Sequence, residues 1–536
     1  MRSSILLVCF LFVLSESTEV VQGANTKRPN IIFIIADDMH RHMFNCLPEG
    51  KGRNLTPNLD RLASEGTLLM GQHVASPVCT PSRYSCLTGL YASRSRCERF
   101  IRNTRREGQT VVQWNAHITD EVTLPQLLHQ AGYVTGFVGK NHVIEADVEK
   151  VSYKADPTQA IVAAKLQKRQ TVVEAAIHGV GFDYVASVYH ENPDGNGPRE
   201  LGVHNLDWTT DGALKFIDAN HEKPFFLYYA TTTPHGPGEK DRSWNADPTA
   251  TPTGYLEQPL DVLPPRETIP QRLKEAGLPT DPQRCNLLWM DDSIGAILAK
   301  LEQKQIDDNT IILFFNDHGQ SAKGTLYQGG VTNPSVIWRK GGFPCGAVNQ
   351  ALLSNIDFAP TLLDIADVSY NVDQFDGRSF QPILSGQTET IHDSLYFEMG
   401  YSRAVLKDGW KYLALRYPKS AESMAISQRQ EILDQFNSKQ KLRGRPIHNT
   451  DPQNPFSHVS LIPGGGDAEA VSTGKRPGYY DRDQLYQLGS DPQENNNLAN
   501  DPKHTAKLTK LKQELRQFLK ELPGNFAELK TNASSN

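Results

Sequence analysis

The chain lacks any apolar run long enough to cross a bilayer, any excess of positive charge, any internal repeat and any dense cysteine framework. Its one concentrated apolar stretch, residues 5–14, is shorter than the roughly 20 residues that a spanning helix needs, so no stable membrane association is expected. Lys and Arg number 55 against 61 Asp and Glu, a formal net charge of −6. That balance argues against nucleic-acid binding, and any anionic substrate must be held by local rather than global positive charge. No lipobox precedes Cys9, which argues against a lipid anchor. The other cysteines are Cys46, Cys79, Cys86, Cys97, Cys285 and Cys345, an even set that permits three bridges in an oxidising compartment. A chain of this size does not depend on them as a mini-protein would.

What is present begins with a basic start, Met1-Arg2, followed by the short apolar run and then Ser, Glu and Thr. This reads as a secretory signal over residues 1–23, and export is expected. The 536 residues exceed one ordinary core. We divide the rest into a main domain, 24–375, and a smaller C-terminal subdomain, 376–536.

Four segments of the main domain share one design, a short β-prone apolar run that ends in charged or imidazole side chains. Run 31–36 ends in Asp37-Asp38, and run 134–138 in Gly139-Lys140-Asn141-His142. Run 225–229 leads to Pro234-His235, and run 311–315 ends in Asn316-Asp317-His318-Gly319. Near-continuous apolar runs suit strands covered on both faces. Helical patterns at 56–63, 124–131, 213–219, 290–301 and 356–363 lie between or after them, so an α/β domain with a mostly parallel sheet sandwiched by helices is expected. Sites in such folds form at the carboxyl ends of the strands, where all these polar residues fall. Beyond residue 375, pieces at 394–397, 404–406 and 410–413 predict a small antiparallel sheet. Region 420–478 reads as long loops with one helix, and Leu508, Leu511, Leu515, Phe518, Leu519 and Leu522 repeat at helical spacing.

Two adjacent carboxylates at a strand end are costly unless something positive neutralises them. Asp37 and Asp38, with Asp317 and His318, offer three hard oxygen donors and one borderline nitrogen for a divalent ion. The alternative is a helix cap at Asp37 and a turn at Asp317. Lys140, His142, His235 and Lys323 supply cations and imidazoles suited to a tetrahedral anion. Cys79-Thr80-Pro81-Ser82-Arg83, followed by Leu87-Thr88-Gly89, places a thiol at a helix start beside an arginine. By itself that cysteine is either half of a disulfide or a reactive group.

The cysteine motif resembles the maturation signature of type I, formylglycine-dependent sulfatases of the alkaline phosphatase superfamily. Similarity also covers residues 28–38, 139–142, 224–237, 309–319, 323–330, 357–364 and 483–498, most of the chain beyond the signal. The resemblance implies an alkaline-phosphatase-like fold, with 24–375 as the catalytic domain and a C-terminal antiparallel sheet plus helix. It implies that Cys79 is oxidised by a formylglycine-generating or other sulfatase-maturing enzyme and hydrated, and that one hydroxyl attacks sulfur while Arg83 steadies it. Asp37, Asp38, Cys79, Asp317 and His318 would hold the metal, and Lys140 and Lys323 would take up charge on the sulfuryl oxygens. His235 or Lys323 would protonate the leaving oxygen, and His142 would remove the second hydroxyl's proton to expel sulfate. Substrates implied are a sulfated carbohydrate or an aryl sulfate. Many relatives carry Asn where this chain has His318, and an imidazole nitrogen is a poorer partner for calcium than an amide oxygen; Ca2+ is still expected, with Mn2+ or another softer divalent ion as the alternative. Two other readings stay open, a phosphonate or phosphodiester hydrolase of the same superfamily and an anion-binding protein with unmodified Cys79. Arg94, Arg96, Arg99, Arg102, Arg105 and Arg106 are either a subsite for a sulfated polymer or a solvated basic segment paired with Glu98 and Glu107.

Overall fold

A computed structural model describes residues 28–526 except 196, 443, 445, 446, 448, 449 and 454–475, together with residue 529. The expected signal, 1–23, and part of the expected loop region 420–478 lie outside the described residues. In chain order the main elements are β1 (Asn30–Asp37), α1 (Pro57–Glu65), β2 (Thr67–Leu69), α2 (Cys79–Thr88), α3 (Glu98–Glu107) and α4 (Leu124–Gln130). Then come β3 (Val134–Asn141), α5 (Ala160–Gly179), β4 (Tyr184–His190), α6 (Leu206–Asn220), β5 (Phe225–Pro234) and α7 (Pro282–Gln303). The large layer closes with β6 (Thr310–Asn316), β7 (Ser335–Trp338), β8 (Ala347–Asn349) and α8 (Phe358–Ile365).

The first apolar run becomes the middle of the sheet. Every residue of β1 is buried, and the side chains divide with the period of a strand. Ile31, Phe33 and Ile35 enter one apolar cluster, and Ile32, Ile34 and Ala36 enter the other. Two cores on opposite faces are what a helix-sandwiched sheet requires. The strand order is β8-β2-β7-β6-β1-β5-β3-β4. β1 is parallel to both β5 and β6, and β3 is parallel to both β4 and β5. β7 alone runs against its neighbours, β6 and β2. This is the mostly parallel α/β architecture expected, with β4 and the β7, β2, β8 flank added to the four strands read from the sequence.

The second sheet is antiparallel in order β9 (Ser394–Met399), β10 (Ser402–Lys407), β11 (Trp410–Leu415) and β12 (Asp483–Gln487). Its fourth strand arrives from beyond the 420–478 region, which contains helix α9 (Ile426–Leu442). Helix α10 (Thr505–Glu521) buries Leu508, Leu511 and Leu515 against this sheet, in a cluster with Tyr396, Val405, Tyr412 and Leu485. Its apolar stripe is thus spent on core packing. Among the described residues no helix is long and apolar enough to cross a membrane. None of the six cysteines described forms a disulfide, unlike the three bridges their number permits. They are taken up elsewhere: Cys97 Sγ lies 3.0 Å from the Asn115 carbonyl oxygen, and Cys86 packs beside Asn355 inside the core.

Candidate active site

Parallel pairing brings the carboxyl ends of β1, β3, β4, β5 and β6 to one edge. Ala36 is in register with Asn316, Asp37 with Pro234, and Asn141 with His190. A bulge between Val138 and Gly139 shifts the β3–β4 register just before Lys140. Gly139 has φ +96, and a Cβ there would sit 1.9 Å from the Ala230 carbonyl oxygen, so only glycine lets β3 stay against β5 while delivering Lys140.

Asp37 caps no helix; it is fully buried and faces the helix that begins at Cys79. Asp38 takes a left-handed backbone conformation, φ +63, and its N–H donates to Asp317 Oδ1 at 3.1 Å. The Asn316 amide ties the two strand ends together, accepting from the Met39 N–H at 2.8 Å and donating to the Met39 carbonyl at 2.9 Å. Cys79 is the first residue of α2, and its Sγ lies 3.7 Å from Asp37 Oδ1 and 3.6 Å from His318 Nε2. The N-cap is Val78, with no side-chain cap. Thr80 and Ser82 therefore sit inside the first turn, and Ser82 donates instead to the Asp317 carbonyl. Helix N–H groups left without a side-chain cap favour an anion at this end.

Three basic side chains, Arg83, Lys140 and Lys323, and two imidazoles, His235 and His318, converge on the acids. The Arg83 guanidinium, fully buried, lies 3.4 Å from Asp37 and 3.2 Å from Asp317. Its Nε and Nη1 have no hydrogen-bond partner among the described residues. Lys140 pairs with the second Asp37 oxygen and donates to Asn192 Oδ1 at 2.6 Å. Lys323 Nζ is 2.6 Å from Asp38 Oδ1, and His235 Nε2 is 3.4 Å from Asp38 Oδ2. His318 Nε2 lies 3.0 Å from Asp38 and 3.5 Å from Asp317. Burial is the largest influence and would raise the Asp37 and Asp38 carboxyls, but Lys140, His235 and Arg83 around Asp37, and Lys323, His318 and His235 around Asp38, together outweigh it and hold both below the usual carboxylate range. For His318, burial disfavours the charged form, yet the Asp317 carboxylate together with the hydrogen bonds to Asp38 and Cys79 outweighs it and lifts the imidazole to about 10.

His142 is placed differently. Its Nε2 meets Glu191 at 2.8 Å and its buried Nδ1 has no partner among the described residues. Burial, then the Lys140 charge, pushes it down to about 4, so the ring is neutral near pH 7. Glu191, Asn192 and Gln320, whose amide lies 3.2 Å from Asp38, are site residues that the sequence reading missed. A signal for the first two was there. Run 184–189, ending in His190-Glu191-Asn192, has the same apolar-then-polar design as the four segments recognised.

The ligating atoms of Asp38, Cys79, Asp317 and His318 lie within 4.8 Å of one another, a set able to hold a metal ion. Asp37 stands outside that group, its oxygens engaged by Lys140 and Arg83. Arg99, Arg102, Arg105 and Arg106 lie on α3, while Arg94 and Arg96 precede it, and acids accompany four of the six side chains. Arg94 meets Asp376 at 2.7 Å, Arg96 meets Asp120 at 3.2 Å, Arg99 meets Glu145 at 3.5 Å and Arg102 meets Glu98 at 3.7 Å. The side chains of Arg106 and Glu107 lie outside the described residues.

A family model described as Sulfatase matches residues 29–368. The chain is 27% identical over 410 residues to the N-acetylgalactosamine-6-sulfatase of Canis lupus familiaris, covering 72% of each chain. It is 24% identical over 513 residues to an ulvan-active sulfatase of Formosa agariphila, covering 92% of this chain and 75% of that one. In fold it resembles the phosphonate monoester hydrolase of Agrobacterium radiobacter, with a TM-score of 0.57 at 16% identity over 93% of this chain and 96% of that one.

Proposed function

The chain belongs to the sulfatase family and is a sulfuric ester hydrolase, and we propose that it removes sulfate from a carbohydrate through Cys79 converted to formylglycine. The observation that carries this reading is the placement of the Cys79 thiol at the mouth of α2, within 3.7 Å of Asp37 and 3.6 Å of His318. Lys140, Lys323 and Arg83 lie on the same edge. The carbohydrate assignment draws on the relatives that act on N-acetylgalactosamine sulfate and ulvan. Export, by a signal at residues 1–23, and maturation by a formylglycine-generating or other sulfatase-maturing enzyme complete the proposal.

Each residue has a task set by its chemistry. Once Cys79 is oxidised, the hydrated aldehyde supplies a hydroxyl nucleophile where the thiol stands. Lys140 and Lys323 provide fixed positive charge for the sulfuryl oxygens, and Arg83 holds the nucleophile's side of the site. His235 or Lys323, both on Asp38, can give a proton to the departing sugar oxygen. His142, buried and neutral, can accept one. The oxygen-rich set with one imidazole fits a divalent cation, proposed as Ca2+ with Mn2+ as the alternative, held by Asp38, Asp317, His318 and the residue at 79, with Asp37 beside them. When bound, it supplies Lewis-acid polarisation of the nucleophile and the sulfate oxygens.

Peptide mass analysis around Cys79 should show sulfur replaced by oxygen with loss of hydrogen; an unmodified thiol in active protein would refute the formylglycine reading. The rival, phosphonate or phosphodiester hydrolysis, gains from His318, since an imidazole ligand departs from the usual sulfatase pattern. Matched aryl sulfate and aryl phosphodiester substrates separate the two, and a large preference for the diester would displace sulfate as the substrate. A panel of sulfated glycans then tests the carbohydrate assignment.

Two further outcomes follow from the electrostatics. His318 carries a proton up to about pH 10, so a cation must displace it. Affinity should therefore rise with pH across the neutral range, with proton release visible as buffer-dependent heats in titration calorimetry. Identical heats in buffers of different ionisation enthalpy would contradict this. For Glu191→Gln, loss of the carboxylate that raises and orients His142 should lower kcat by about 10- to 100-fold. The acid limb of the pH–rate profile should move to lower pH, whereas a merely structural loss would leave it in place.

A further inference from the structure

We infer that Cys97, His117 and Glu145 form a second metal site, of zinc type, set apart from the Cys79 cluster. The ligating atoms of the three side chains lie within 4.8 Å of one another. A thiol, an imidazole and a carboxylate are the donors zinc takes, and three protein ligands leave a fourth position for water. Cys97 and His117 are 1% and 4% exposed, while Glu145 opens to solvent and offers an entry path.

The backbone has already assembled the site. Cys97 is the N-cap of α3, and Ser95 Oγ just before it donates to the His117 carbonyl at 2.9 Å. The Ile118 N–H donates to the Val143 carbonyl at 2.9 Å, and Ile118 bridges Ile144, which fixes His117 relative to Glu145. The Asn115 side chain closes the turn before His117 by bonding Gln113 and Val111. Little ordering is therefore left for an ion to impose.

An independent observation points to a ligand. His117 Nδ1 is buried and has no hydrogen-bond partner among the described residues, a cost that a metal bond or metal-held water would remove. The present partners of the other two can be exchanged. Cys97 Sγ donates to the Asn115 carbonyl at 3.0 Å, a bond that a thiolate no longer makes, and Glu145 shares a 3.5 Å contact with Arg99, whose half-exposed side chain can swing away. On binding, the Cys97 S–H bond breaks, a metal–sulfur bond forms and the proton leaves to solvent.

A metal here would tie the start of α3 and segment 115–118 to the stretch just after His142. It would act on the wall of the catalytic edge without touching substrate.

The test uses Co2+ as the probe in the full chain carrying Cys79→Ala, which removes the thiol of the other cluster. A thiolate-to-cobalt charge-transfer band should appear and saturate as a single class of site, whatever further Co2+ Asp38, Asp317 and His318 take up without a thiolate band. Cys97→Ser should abolish it, and Glu145→Ala, at an exposed position, should weaken binding at least about tenfold. If Cys97→Ser does not fold, His117→Asn replaces it and should equally remove the band. No band in Cys79→Ala, or a band that survives Cys97→Ser or His117→Asn, overturns the assignment. Failure here leaves the sulfatase reading untouched, because that reading is tested at Cys79.

Discussion

Cys79→Ala should lower turnover of a sulfate ester by about ten-thousandfold or more while leaving the fold intact. The size follows from removing a covalent nucleophile, whose loss elsewhere costs up to about a millionfold in kcat. The side chain is small and points into the polar edge, so its removal opens little apolar cavity. It relieves no ion pair, since Lys140, Arg83 and Lys323 stay on their carboxylates. Substrate binding should persist in part, because those cations remain. Cys79→Ser sharpens the result. A serine keeps one hydroxyl but has no second to drive out sulfate, so a sulfated serine should accumulate and appear as a mass gain of one SO3 on the peptide. Alanine and serine variants with near-normal steady-state rates would remove Cys79 from the chemistry altogether.

Lys411→Met should destabilise the protein by about 3–5 kcal/mol, the cost of leaving one member of a buried ion pair without the other. Lys411, on β11, and Glu494 pair with no exposure of either side chain. Both also reach across to the segment that follows Lys323. Lys411 Nζ donates to the Leu326 carbonyl at 2.6 Å, and Glu494 accepts from the Gln328 N–H at 2.6 Å. Leu326 and Gln328 follow closely on Lys323, so the small sheet holds the loop that brings Lys323 to Asp38. Burial favours the neutral amine and lowers the Lys411 pKa, with Glu494 opposing it. Urea unfolding should show a lower midpoint for Lys411→Met and for Glu494→Leu. The double variant Lys411→Met/Glu494→Leu should be less destabilised than the sum, because no lone charge remains buried. Additive losses would mean the two side chains act separately. A drop in kcat/KM in the double variant, beyond its stability loss, would report the loosened Lys323 loop.

Much of the catalytic edge was readable from residues that are neighbours in the chain. Runs 31–36, 134–138, 225–229 and 311–315 are apolar on both faces, and their polar ends mark where each strand leaves the core. β4 shows where that reading fell short. Its run is interrupted by Ser187, it is half-buried at its start, and it lies at the sheet's edge, so it is less uniformly apolar than the central strands. Glu191 and Asn192 were lost with it. At Thr80 and Ser82 a local propensity is overridden. Both are cap-forming types, but the helix starts at Cys79 and Ser82 finds a tertiary acceptor in Asp317.

By itself the sequence determined which segments would be covered strands, that their carboxyl ends would carry acids, lysines and imidazoles, and that Cys79 would open a helix. Those properties depend on run length and side-chain period, which are local. Only the tertiary structure decided the pairings: Arg83 between Asp37 and Asp317, Lys140 on Asp37, Lys323 and His318 on Asp38, Glu191 on His142, Lys411 on Glu494. It also gathered Cys97, His117 and Glu145, which no sequence spacing connects. Partner choice among buried charges depends on strand order and on which loop crosses which edge, and neither is encoded in the pattern of any one segment.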